Sequence, residues 1–155
     1  VSALLGLRRQ ATFEGEASMA LQFAAEEWDG PAEPLSLPVR QALKDGRFLL
    51  PTTALFGALV TQHEQGRSAR ELARLFHQTL AELIGVGCER ARQQTGVTTV
   101  ALSGGVFQNT LLTRLTKERL ERAGFRVLLH SLLPPNDGGI CVGQAAFAMY
   151  ALQER

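Results

Sequence analysis

Two short loops hold most of the residues that could do chemistry. The first loop, residues 103–109, reads SGGVFQN, and the second loop, residues 134–139, reads PPNDGG. Glycines let a backbone approach a ligand closely, and the free N–H groups at a helix start bind anions such as phosphate. Amide and carboxylate side chains in the same loops add hydrogen-bonding groups and an oxygen ligand for a metal. We therefore predict that the two loops form a binding surface.

Each polar residue of the loops also has a purely structural alternative. Asn109 could cap the helix that follows it, or bind a ligand, whereas Gln108 has no capping role and favours ligand contact. Ser103 could simply form the turn. Asp137 could cap the last helix, where the helix dipole favours a carboxylate, or bind a metal. The glycine spacing matches neither the G-x-G-x-x-G dinucleotide pattern nor the Walker phosphate loop.

The elements around the loops follow from apolar patterning. Residues 97–102 form a nearly continuous apolar run, which predicts a strand buried on both faces, and residues 125–129 predict a second strand. An amphipathic helix is predicted over residues 109–123 and a final apolar helix over residues 139–152. Two strands joined by one helix should be parallel, with a right-handed crossover. Both loops then lie at the same edge of the sheet, beyond the carboxyl ends of the strands.

The N-terminal part of the chain is predicted to be mainly helical. Apolar residues at helical spacing predict helices over residues 15–28, 52–65 and 69–94, and the last turns of another over residues 1–7. Gly85 and Gly87 interrupt the long third helix, and we expect them to mark a close backbone approach. Residues 35–39 and 48–50 are predicted to pair as a β-hairpin.

Composition narrows the class of protein. The 155 residues are 45% hydrophobic and 20% charged, with a net charge of +1, which predicts one globular domain over residues 1–155. The small charge gives no reason to expect nucleic acid or an anionic membrane as a partner. No apolar run approaches the roughly 18 residues that span a bilayer. Cys88 and Cys141 form no CxxC motif, so we interpret both as core residues in a reducing, cytoplasmic compartment.

The three histidines do not form a metal site by themselves. His63, His77 and His130 have no spacing that would place two of them on one helix face. His77 lies between apolar residues of the long helix and is interpreted as a packed or rim histidine. His130 ends the second strand at the edge that carries the loops, where we favour a surface role over ligand contact.

The loops also resemble those of a known family. Residues 100–109 (VALSGGVFQN) and 134–140 (PPNDGGI) closely resemble the C-terminal end of the HypF carbamoyltransferases of nickel–iron hydrogenase maturation. The other stretches that fit this family are residues 3–8, 13–15, 76–77 and 143–144. The resemblance implies a helix-rich α/β fold with a helical N-terminal half. Its C-terminal half would be the parallel β-α-β-α unit of an actin-like or sugar-kinase ATPase lobe.

The resemblance further implies a reaction. Carbamoyl phosphate and ATP yield carbamoyl-adenylate, and the carbamoyl group passes to the C-terminal cysteine of HypE. Asp137 would be a ligand of a divalent metal (iron, zinc or magnesium), whose other family ligands, an HxxxH pair and an aspartate, belong upstream of Val1. Glu14 and Gly15 would lie near the ribose. The positions implied to contact nucleotide are Ser103, Gly104, Gly105, Gln108, Asn109 and Gly138.

We therefore expect the chain to carry half of a site. Little or no carbamoyl transfer and only weak nucleotide binding are expected from it alone, and an uncovered lobe face should favour self-association. One alternative is a fragment of a tRNA threonylcarbamoyl-transfer enzyme. Those enzymes usually pair Asn-Gly with the metal aspartate, whereas here Asp137 follows Pro-Pro-Asn and precedes two glycines. Another alternative is a non-catalytic nucleotide-binding or partner-docking module.

Overall fold

The computed structural model describes residues 1–37, 40–41 and 48–153. It confirms a helix-rich α/β architecture with a parallel two-stranded unit in the C-terminal half. The helices are α1 (Glu16–Glu26), α2 (Thr52–Glu64), α3 (Ala69–Thr95), α4 (Thr110–Arg122) and α5 (Ile140–Gln153). The strands are β1 (Arg40–Gln41), β2 (Phe48–Leu49), β3 (Thr99–Leu102) and β4 (Arg126–Leu129), and short 3-10 helices cover Gly105–Gln108 and Asp137–Gly139.

Helix α3 is the centre of the packing and contacts α1, α2 and α4. It begins where the Ser68 hydroxyl accepts a hydrogen bond from the backbone N–H of Glu71, and it ends at Gly96, whose φ of +74° suits glycine. Its apolar stripe forms the main core with leucines of the neighbouring helices. The buried leucines of this core include Leu21, Leu55, Leu59, Leu72, Leu75, Leu83 and Leu111.

Strands β3 and β4 are parallel, as predicted, with Leu102 opposite Leu129. Helix α4 covers one face of the pair, where Leu102 and Leu120 are buried. The prediction that β3 is buried on both faces was wrong, because Thr99 and Ala101 are exposed. The second face lacks a cover within the described residues, since α5 has no buried residue.

A short antiparallel hairpin pairs β1 with β2, so the predicted hairpin exists, but its first strand was placed too early. Leu35 and Leu37 pack against the main core instead of pairing, and the Leu35 N–H donates to the Thr79 hydroxyl of α3 at 3.0 Å. The rest of the predicted first strand, residues 38–39, lies outside the described residues.

The expected close backbone approach to α3 is not what the structure shows, because a side chain approaches Gly85 instead. A Cβ built on Gly85 would lie 2.8 Å from Cγ of Arg119, which crosses α3 from α4. Arg119 is held there by Glu82 at 2.6 Å and Glu89 at 3.0 Å. The hydrogen bond that Arg119 donates to the Glu82 carboxylate raises the pKa of Arg119, so the guanidinium stays charged. A Cβ on Gly87 would meet only ordinary contacts, at 3.5 Å from Phe48.

The two cysteines differ. Cys88 is half-buried beside the β3–β4 core, whereas Cys141 is exposed at the start of α5, so its assignment to the core was wrong. Both thiols are free. Throughout the described part of the chain, each helix is too short or too polar to cross a membrane.

Replacing Gly85 with alanine tests the crossing of Arg119 over α3. Alanine gains roughly 1 kcal/mol of helix propensity over glycine, but overpacking against a held side chain costs about 1–3 kcal/mol. Gly57→Ala in α2 is the matched control, because a Cβ there meets nothing within 4 Å. In urea denaturation we expect Gly57→Ala to raise the free energy of unfolding. The free energy of unfolding of Gly85→Ala should be about 1–3 kcal/mol lower than that of Gly57→Ala. Equal effects of the two changes would contradict this account.

Candidate functional site

The two loops lie side by side, as predicted. Because Leu102 pairs with Leu129, the chain leaves both strands at the same edge of the sheet. The backbone N–H of Gly104 then donates to the carbonyl oxygen of Pro135 at 2.7 Å, which joins the first loop to the second. Gly104 has a φ of +95°, a conformation that side chains with a Cβ rarely adopt. A glycine is therefore required at this junction.

A polar pair sits at the base of the first loop. The Ser103 hydroxyl and Nε2 of His130 are 2.9 Å apart, one residue beyond the paired ends of β3 and β4. Both side chains are exposed. The sequence had placed His130 at this edge but favoured a plain surface role. The signal that could have found the pair is the register, which puts residues 103 and 130 at equivalent positions.

Asn136, not Asp137, caps the short 3-10 helix Asp137–Gly139 of the second loop. Asn136 Oδ1 accepts a hydrogen bond from the N–H of Gly138 at 3.1 Å. A Cβ at Gly138 would crowd that oxygen at 3.1 Å, and one at Gly139 would lie 3.0 Å from the carbonyl oxygen of Pro134. Packing therefore favours glycine at both positions, since a side chain there would push its neighbours by a few tenths of an ångström. Within the described residues no donor reaches the exposed carboxylate of Asp137, so that carboxylate is available to a ligand.

A cavity of about 600 Å³ opens between α1, α3 and the first loop. Glu14 and Gly15, at the start of α1, line it together with residues of the first loop. Of the described residues that line it, none comes from the second loop. The predicted site residues thus form two neighbouring groups. Gly105, Gln108 and Asn109 line the cavity, while Ser103, Gly104, Asp137 and Gly138 lie at the junction of the loops.

Asn109 connects the cavity to the core. Its Oδ1 accepts a hydrogen bond from the N–H of Leu112 at 2.8 Å, so it caps α4. Its Nδ2 lies 2.9 Å from Nε2 of His77, and Nδ1 of His77 lies 2.7 Å from the carbonyl oxygen of Ala73. A carbonyl only accepts, so His77 carries its proton on Nδ1 and accepts at Nε2. The interpretation of His77 as packed is confirmed, since only 1% of it is exposed.

The surroundings of His77 keep it neutral. Burial lowers the pKa of His77 below its ordinary value, and the hydrogen bond to Ala73 opposes this shift only in part. A neutral imidazole is also what the contact with Asn109 needs, because a protonated Nε2 would face an N–H group. Electrostatics and hydrogen bonding therefore agree on one protonation state and one tautomer.

The described residues do not make a complete metal site. No group of three His, Cys, Asp or Glu side chains among residues 1–37, 40–41 and 48–153 is placed to hold a metal ion. Asp137 is a single exposed carboxylate, and hard divalent cations take several oxygen ligands. These residues therefore supply one ligand at most.

Comparison with known proteins identifies the family. Residues 1–144 match the family model described as "Carbamoyltransferase, Kae1-like Domain, second subdomain". The chain belongs to this HypF carbamoyltransferase family. It is 35% identical over 153 residues to the carbamoyltransferase HypF of Synechocystis, an alignment that covers 99% of this chain and 19% of that protein.

A solved structure of full-length HypF in the phosphate- and nucleotide-bound form is similar to 97% of this chain, with a TM-score of 0.86 and 32% identity. This chain corresponds to 19% of that HypF chain, so it spans about a fifth of the length of these relatives. A tRNA N6-adenosine threonylcarbamoyltransferase of Syntrophotalea carbinolica is 32% identical over 82 residues, which is 53% of this chain. The shorter match gives the threonylcarbamoyl alternative no advantage over HypF.

Acidification tests the protonation state of His77. In the unfolded chain His77 takes up a proton near its ordinary pKa of about 6.5, whereas in the folded chain burial resists protonation. The contribution of neutral His77 to the free energy of unfolding is therefore fully present above that pH. It is lost as the pH falls towards the lower pKa of the folded state, with a slope of at most about 1.4 kcal/mol per pH unit. Urea denaturation between about pH 7.5 and 5 should show this decline.

The decline should be smaller in His77→Gln, which cannot take up the proton. His63→Gln, at an exposed position of α2, is the control and should follow the wild-type curve. Identical curves for wild type and His77→Gln would show that His77 does not couple to folding.

Proposed function

We propose that this chain is the nucleotide-binding portion of a HypF-type carbamoyltransferase. In that enzyme carbamoyl phosphate and ATP would form carbamoyl-adenylate, and the carbamoyl group would pass to the C-terminal cysteine of HypE. The observation that carries the proposal is the cavity that brings Glu14 and Gly15 against the first loop, next to the junction with the second loop. A similar solved HypF structure in a phosphate- and nucleotide-bound form supports it.

The cavity suits the nucleoside part of ATP. Phe23, Phe76 and Val106 supply apolar walls, which favour the faces of a nucleobase. Glu14 lines the same space, and a carboxylate is an acceptor for the hydroxyls of a ribose. Asn109 adds an amide at the inner wall. The combination of apolar walls with few polar groups is typical of a small-molecule site.

The junction of the loops suits the phosphates. Gly104 and Gly105 present backbone without side chains, so a phosphate can approach closely. Gly138 provides a second stretch of this kind across the junction. Ser103 and His130 add two exposed hydrogen-bonding groups beside it. We propose that the triphosphate runs from the cavity along this junction.

We propose that Asp137 supplies one ligand to a divalent metal in the full-length enzyme. Its carboxylate is free because Asn136 does the capping. Since the described residues hold no complete metal site, the chain by itself should bind ATP weakly and transfer little or no carbamoyl. The two free thiols fit a reducing compartment, and we propose the cytoplasm.

Replacement of Asp137 separates catalysis from simple docking. In the full-length protein that contains this chain, Asp137→Ala should reduce hydrogenase maturation and carbamoyl transfer to HypE to background. Glu121→Ala is the control, because Glu121 is a similarly exposed carboxylate on α4 that pairs only loosely with Lys117 at 3.8 Å. Normal maturation with Asp137→Ala would favour a non-catalytic docking module, in which the glycines only shape turns.

The exposed apolar helix α5 supports a second proposal, self-association of the chain in isolation. Phe147, Met149 and Leu152 are 73%, 64% and 70% exposed, an unusual amount of apolar surface for one helix of a monomer. In a full-length enzyme this helix would be covered by other parts of the protein. Without them, a second copy of the chain can bury it.

Charge placed on α5 should prevent this association. Sedimentation velocity should show dimers or larger species that increase with protein concentration, and Phe147→Asp should shift the chain to monomer. Leu49→Asp is the control, because Leu49 is 61% exposed but belongs to β2 and not to α5. A monomeric wild-type chain at all concentrations would refute the proposal.

A further inference from the structure

A chain of three hydrogen bonds fixes the orientation of the Asn109 amide from both ends. At one end the carbonyl oxygen of Ala73 can only accept, so Nδ1 of His77 carries the proton and Nε2 accepts. At the other end the N–H of Leu112 can only donate, so Oδ1 of Asn109 faces it. Nδ2 is then the atom that faces His77, at 2.9 Å. Flipping the amide would break both contacts of Asn109 at once.

This arrangement leaves one group of the amide unused. The second N–H of Nδ2 has no partner among the described residues, and Asn109 lines the cavity. His77 is buried, so water does not compete for Nε2 and the contact holds the amide in place. Because Asn109 lines the cavity, the amide group left to meet a ligand there is a hydrogen-bond donor, where a flipped amide would leave an acceptor.

We propose that His77 is a positioning residue that aims the free N–H of Asn109 at an unprotonated ring nitrogen of the nucleobase. The proposal rests on the proposed nucleotide function and deepens it, since it states which hydrogen-bonding group the base must present. A base with an acceptor at that point is bound, and one without it leaves the N–H unsatisfied. His77 touches no ligand atom in this role; it acts through Asn109.

Deaza analogues of ATP test the proposal, because each of the 1-, 3- and 7-deaza forms lacks one ring nitrogen of adenine. Binding of ATP and of each analogue is measured by chemical-shift titration of the labelled chain, which detects weak complexes. We expect one analogue to bind the wild-type chain about 2- to 10-fold more weakly than ATP, the effect of one neutral hydrogen bond. The other two should bind like ATP.

Three variants separate positioning from mere stability. Asn109→Ser keeps a capping hydroxyl but removes the donor, so the discrimination should disappear. His77→Phe fills the space but removes one of the two contacts that orient the amide, leaving only the cap to Leu112, so the discrimination should shrink. Leu55→Val, in the core of α2, lowers stability without touching the cavity and should keep full discrimination. Because discrimination is a ratio within one variant, loss of folded protein cancels from it.

The outcomes separate this inference from the proposed function. If ATP shifts no resonance of the cavity residues, the nucleotide function fails and the inference fails with it. If ATP binds but all three analogues bind equally, or the weak analogue remains weak in Asn109→Ser, only the role of Asn109 and His77 is overturned. Unchanged discrimination in His77→Phe overturns the role of His77 alone.

Discussion

The parallel pairing of β3 with β4 is the constraint on which the site depends. It places residues 103 and 130 at equivalent positions, and it directs both following segments to the same edge. The hydrogen bond from Gly104 to Pro135 then converts two adjacent chain ends into one continuous backbone surface. A shift of the register by one residue would separate Ser103 from His130 and exchange the faces of β4. The chemistry of the loops is therefore set by the strands beneath them.

Helix α3 connects this edge to the core. It packs on three other helices, so its position is fixed by buried leucines rather than by the loops. His77 on this helix contacts Asn109 and so fixes its side chain, and Asn109 in turn caps the N-terminus of α4. Arg119 provides a second link between the same two helices, over Gly85. The first loop is thus attached to two packed helices. Their packing fixes the backbone of this loop where it lines the cavity.

Local patterns allowed the main elements and the adjacency of the loops to be predicted, because periodicity and glycines act within a few residues of themselves. The interpretation of His77 as packed was also correct, but the sequence could not show that Nε2 meets Asn109, which lies 32 positions away. For Asp137 the spacing left two roles open, and the neighbouring Asn136 takes the capping role. Such assignments depend on which of two adjacent polar side chains turns towards the backbone N–H groups of the loop, and periodicity does not specify that.

The burial of β3 and α5 was harder to predict for a related reason. A continuous apolar run predicts that the surface it forms is buried in the whole protein. It does not indicate whether the segment that buries this surface belongs to the same part of the protein. Here α4 covers one face of β3, while α5 and the other face stay exposed among the described residues. The chain matches about a fifth of the full-length relatives, so their remaining four-fifths can supply the missing cover. The same reasoning applies to the proposed site, because a partly open cavity and a carboxylate without further metal ligands among the described residues leave room for groups from the rest of a full-length protein.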